Sequence, residues 1–135
     1  MIVHKRIRLA KRHKTFTNCF GTALYLAGII KQDKFIPRIW DYDSELERLT
    51  ILDQPEVYSL AIFRRGTNKY VDHIAIVTGI NPILLTHRDI LTHPEGVFIE
   101  KEPLEEVVAR YSTPEMNKIH GQITQIEYRR IPNSH

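Results

Sequence analysis

The sequence predicts an α+β domain in which a buried helix packs against an antiparallel sheet. The chain has 135 residues, of which 42% are hydrophobic and 26% are charged, and both figures are typical of one globular domain. A long apolar segment near the start predicts a helix, and short apolar segments separated by turn signals follow it. Because the predicted strands follow one another instead of alternating with helices, the pattern favours α+β over a parallel α/β fold.

The first predicted helix begins at Cys19 and runs to about Lys31. Asn18 precedes it, and its side chain can cap the free amides of the first turn. Nearly every face of this segment is apolar, which is typical of a helix buried in the centre of a domain. A second helix, short and charged, is predicted from Asp43 or Ser44 through Leu52.

The predicted sheet begins after Pro55. Turn signals at 65–69 and 79–82 separate its first three apolar segments. The predicted strands are 57–64, 71–78, 83–87, 97–101 and 122–131. Pro103 suits the first turn of a helix that continues through Tyr111, between the last two strands.

Charge divides the chain into a basic segment, residues 1–14, and a single domain, residues 15–135. The first 14 residues hold six basic and no acidic residues, whereas the remainder holds 13 basic and 16 acidic residues. Such a segment can contact phosphate or anionic lipid, or it can be a solvated leader that is partly a strand. No apolar run follows that is long enough for a signal peptide or a membrane span, so we expect a cytoplasmic protein.

Cys19 is the first candidate for chemistry. It is the only cysteine, which excludes an intramolecular disulfide and a zinc site built on several thiolates. The first turn of a helix favours a thiolate, because free amides and the helix dipole stabilise negative charge there. The alternative is that Cys19 is a small apolar residue of the core.

Two histidines end or interrupt apolar strands downstream of Cys19. His73 lies among apolar residues of the second predicted strand, and His87 ends the third. Histidine is the residue type that activates a thiol at neutral pH, and a third group can orient its ring. A histidine in a strand can equally be a hydrogen-bonded core residue. Cys19 with both histidines could also bind zinc, but a thiol site uses the same residue types without metal, so no metal is predicted.

Four segments of the chain resemble the NlpC-type, papain-like cysteine hydrolases. Asn18 to Gly28 resembles their nucleophile helix, and Pro55 to Phe63 resembles the strand that follows it. Asp72 to Gly79 resembles their strand with the catalytic histidine, and Leu84 to His87 resembles the strand with the third catalytic residue. The resemblance covers about residues 15–130.

The resemblance implies a papain-like catalytic domain over residues 15–135. It implies Cys19 as the nucleophile, His73 as the base and His87 as the group that orients the base. The expected reaction is hydrolysis of an amide or peptide bond through a thioester, on small substrates such as the γ-linked peptides of peptidoglycan. No cofactor is expected.

Four further residues are predicted to bind the substrate. Asn18 can donate to an oxyanion, Trp40 and Tyr42 can line a cleft between acidic neighbours, and Asp72 adjoins His73. One alternative function is an acyltransferase of the same superfamily. The other is a non-catalytic binding module that uses the basic segment; for the hydrolase, no nucleic-acid partner is expected.

Overall fold

The computed structural model describes residues 2–12, 17–88 and 98–132. Within these ranges the helices are α1 (Ile2–Arg12), α2 (Cys19–Leu26), a 3-10 turn (Ile39–Tyr42), α3 (Asp43–Glu47), α4 (Leu104–Tyr111) and α5 (Pro114–His120). The strands are β1 (Ile51–Leu52), β2 (Ser59–Arg65), β3 (Tyr70–Gly79), β4 (Ile83–Arg88), β5 (Phe98–Pro103) and β6 (Ile123–Arg130). No helix in the described ranges has the length and apolar character that crossing a membrane requires.

The six strands form one antiparallel sheet in the order β1-β6-β2-β3-β4-β5. Strands β2 to β5 follow one another as neighbours, and β6 returns to lie between β1 and β2. The predicted α+β class is therefore confirmed at the level of a helical layer and an antiparallel sheet.

The sheet buries both of its faces, because apolar side chains alternate on its central strands. On one face, called the α2 face, α1 and α2 pack against Leu60, Ile62, Ile74, Ile76 and Leu85. On the other, called the α4 face, α4 packs against Ala61, Phe63, Ala75, Val77 and Leu84. A side chain of β3 therefore lies on either the α2 face or the α4 face, according to its place in the alternation.

Helix α2 is shorter than the sequence predicts. It ends at Leu26, and Gly28 follows with a φ of 80°, a left-handed conformation that glycine adopts without strain. The predicted helix from Asp43 also ends early, at Glu47. The residues after it form β1, because Ile51 and Leu52 pair with the edge of β6 instead of continuing the helix.

Two helices differ in kind from the prediction. Residues 2–12 of the basic segment form α1, whose Val3 and Ile7 are buried in the α2-face core, so this part is neither a strand nor a fully solvated leader. Helix α5 was not predicted. Thr113 caps it by accepting a hydrogen bond from the Met116 amide at 3.3 Å, and Pro114 occupies its first turn.

Candidate active site

Cys19 is the first residue of α2, as the sequence predicts. Asn18 caps the helix: its Oδ1 accepts hydrogen bonds from the Gly21 amide at 3.0 Å and the Ile36 amide at 3.1 Å. Its Nδ2 donates to the Ile36 carbonyl at 2.9 Å. Because the protein's own backbone engages this side chain, Asn18 holds the start of α2 in place, and its predicted role in substrate binding stays a prediction.

A loop lies tightly over the first turn of α2, and its anchors were not among the predicted site residues. Asp33 Oδ1 accepts hydrogen bonds from Thr17 at 2.7 Å and from Thr22 at 3.0 Å. A side chain at Gly21 would put a Cβ 1.6 Å from the Lys34 carbonyl oxygen, so only glycine permits this approach. The glycine two residues after Cys19 was the available sequence signal.

The surroundings of Cys19 disfavour the ionised form of its thiol. Burial raises its pKa to about 12, and the negative charge of Asp72 acts in the same direction. Backbone hydrogen bonds at Ile74, Phe20 and Cys19 lower the pKa but do not offset the burial. The expectation of a low-pKa thiolate, based on the helix start alone, is therefore corrected, because removing the sulfur from water outweighs the stabilisation by nearby amides.

His73 is not brought together with Cys19. Its ring is fully buried and stacked on Tyr111 of α4, with 4.4 Å between the ring centroids, and the Phe63 ring lies nearly perpendicular to it with 5.2 Å between centroids. The neighbouring Ile74 lies on the opposite, α2 face, where α2 packs against β3. The sheet therefore separates the two predicted partners, because successive side chains of β3 alternate between its faces.

His87 lies on β4, where its backbone pairs with Ile99 of β5. It stands two residues after Leu85, which packs in the α2-face core, and α2 packs against both β3 and β4. The side chain of His87 lies outside the described parts of the chain, so its predicted contact with His73 stays a prediction.

A cleft of about 570 Å³ opens beside the start of α2. Its lining residues are Phe20, Pro37, Ile39, Trp40, Asp43, Arg64, Asn68, Lys69, Tyr70, Val71 and Asp72. Trp40 is 61% exposed at this cleft, so two of the predicted substrate-binding residues, Trp40 and Asp72, lie where a ligand could reach them. Tyr42 is half-buried and packs against the α2-face core, and its predicted role stays a prediction.

A buried arginine fixes the carboxylate of Asp72. Arg65 has no exposed surface, and its Nε donates to Asp72 Oδ2 at 3.0 Å. The guanidinium also donates to the Gly121 carbonyl at 2.7 Å, to Asn117 Oδ1 at 3.3 Å and to the Tyr111 carbonyl. This cluster was not predicted, because its members lie far apart in the sequence.

Comparison with known proteins gives no match to a family model, to a curated protein or to a solved structure. The fold and the candidate site therefore define the chain as a mixed α+β protein with a cysteine at the start of a central helix, beside a cleft with aromatic walls.

Proposed function

We propose that the chain is a cysteine hydrolase that cleaves an amide bond through a thioester on Cys19. One observation carries this proposal: Cys19 is the first residue of α2, whose start Asn18 caps, next to the cleft that Phe20 and Asp72 line. The first-turn amides of a helix beside a ligand cavity can stabilise the oxyanion of a tetrahedral intermediate. The helix-on-sheet arrangement supports a papain-like domain as its finer fold.

A protonated thiol requires a base in the step that attacks the substrate. As the sulfur bonds to the carbonyl carbon, its proton passes to an imidazole, and the carbonyl oxygen becomes an oxyanion. The imidazolium then protonates the amide nitrogen, the C–N bond breaks and the amine leaves. Water attacks the remaining thioester, which releases the acid and restores the thiol.

We assign the base to His87 instead of His73. His73 lies on the α4 face, stacked on Tyr111, and cannot reach the sulfur across the sheet. His87 is on β4, against which α2 packs, two residues beyond a residue of the α2-face core. This exchange retains the predicted Cys-His chemistry and changes which strand supplies the histidine.

The test is acylation of Cys19 by p-nitrophenyl acetate. The release of p-nitrophenol measures the rate of acylation, and mass spectrometry detects the acetyl adduct. Cys19→Ala should abolish the burst and the acetyl adduct, and His87→Gln should slow acylation by about 100-fold, as removal of a general base does. The control His120→Gln changes an exposed histidine and should acylate as the unsubstituted chain does.

Two outcomes contradict the proposal. If Cys19→Ala retains the burst, the nucleophile is wrong. If a folded His73→Gln variant is slowed and His87→Gln is not, the base is wrong. Added amines that accept the acetyl group faster than water would favour the acyltransferase, since both reactions share the thioester.

A further inference from the structure

The basic segment is a helix with two different sides. Val3 has no exposed surface and Ile7 is 8% exposed, and both belong to the α2-face core. Arg6 lies over the Tyr25 ring and donates to the Tyr25 carbonyl and, at 2.9 Å, to the Ile30 carbonyl beyond α2. The apolar side and one arginine therefore fasten α1 to the domain. Lys5 and Arg8 take no part in this packing and are exposed.

The outward side of α1 carries positive charge at helical spacing. Lys5 and Arg8 are exposed and three residues apart, and Arg12 continues the series in the sequence four residues after Arg8. No acidic residue occurs among residues 1–14, whereas residues 15–135 carry 13 basic and 16 acidic residues. A protein polarised in this way approaches an anionic partner with α1 first.

We propose that α1 is a docking surface for the phosphate backbone of a double-stranded nucleic acid. Charge complementarity identifies the partner as a polyanion, because a row of cations one helical turn apart matches closely spaced phosphates. A bilayer is disfavoured, since a helix lying in a membrane interface buries its apolar side in lipid, and Val3 and Ile7 of α1 are already buried against the protein.

The same surface favours a duplex over a single strand. Proteins that hold single strands stack bases on aromatic side chains, and the segment Ile2–Arg12 contains no Phe, Tyr or Trp. Contact is therefore made with phosphates alone and does not depend on base sequence. The surface is independent of Cys19, so the proposed hydrolase and the proposed docking surface can each fail separately.

The experiment measures the affinity of the full chain for a 5′-labelled 20-base-pair DNA duplex by fluorescence anisotropy at 50–150 mM NaCl. Three phosphate contacts predict a slope of about −2.7 in log affinity against log salt, which is about a 20-fold loss over this range. Lys5→Gln/Arg8→Gln should reduce the slope to about −0.9 and the loss to about threefold.

A matched variant separates a local surface from net charge. Arg48→Gln/Lys118→Gln removes one arginine and one lysine from exposed positions outside α1. It should retain the full slope, and both variants should retain the circular dichroism of the unsubstituted chain. Both should also acylate Cys19 normally, because neither changes the candidate active site.

Three results would overturn the docking surface. The first is an equal loss of affinity in the two double variants, which would mean a response to net charge alone. The second is tighter binding to a single strand of the same length than to the duplex. The third is Lys5- and Arg8-dependent binding to vesicles of phosphatidylserine and phosphatidylcholine without binding to the duplex, which would identify a membrane as the partner.

Discussion

Replacing Arg65 by methionine is expected to be severely destabilising. The substitution retains an apolar stem in the buried position but removes every donor of the guanidinium. Asp72 then loses its partner at 3.0 Å, and the carbonyls of Gly121 and Tyr111 lose theirs. These groups come from β3, from the end of α5 and from α4, so one side chain ties three elements to β2.

The size of the expected loss in stability follows from the burial of Arg65 and Asp72. Breaking a buried ion pair by removing one member costs about 3–5 kcal/mol, and the lower end applies because Asp72 keeps 20% of its side chain exposed. Leaving the two carbonyls without a donor adds about 1 kcal/mol. We therefore expect a loss of about 4 kcal/mol, which is a large fraction of the 5–15 kcal/mol typical of domain stability.

Urea unfolding followed by circular dichroism measures this loss, with Arg130→Met as the control. Arg130 also pairs with a carboxylate, that of Glu56 at 2.8 Å, but the two side chains are 46% and 39% exposed. Its replacement should cost only a small fraction of the loss at Arg65, because exposed ion pairs contribute little. Equal losses in the two variants would refute the reasoning from burial.

Two further predictions concern the start of α2. Iodoacetamide should alkylate Cys19 at pH 7.5 about a thousandfold more slowly than free cysteine, because a pKa of about 12 leaves little thiolate, and the rate should still be rising with pH above 10. A plateau below pH 9 would contradict the raised pKa. Gly21→Ala should lower the free energy of unfolding by about 1–3 kcal/mol, since its Cβ would collide with the Lys34 carbonyl; unchanged stability in urea would show that the loop yields freely.

The local pattern of the sequence was sufficient to predict the start of α2 and the central strands. Asn18 is the cap that the sequence predicts, and the turn signals at 65–69 and 79–82 separate β2, β3 and β4. These elements are predictable because caps, turns and alternation act within a few residues. The end of α2 was missed, since Gly28 reads as one more small residue in an apolar run.

The candidate site was harder to predict, because it depends on which helix covers each face of the sheet. Strand alternation places His73 with Ala75 and Val77, but the sequence does not reveal whether α2 or α4 covers that face. The two faces are both apolar, so hydrophobicity does not distinguish them. The pKa of Cys19 was also beyond prediction, since it depends on desolvation by parts of the chain that are distant in sequence.

The fastening of α2 at both ends has a consequence for hydrogen exchange. Asn18 holds its first turn to the loop at Ile36, and Arg6 of α1 holds the carbonyls of Tyr25 and Ile30 at and beyond its other end. A helix of eight residues would ordinarily fray from its termini, but here each terminus opens only when another element detaches. The α2 amides should therefore exchange together, in one opening event that detaches these neighbours, and a duplex that holds α1 in place would slow them all.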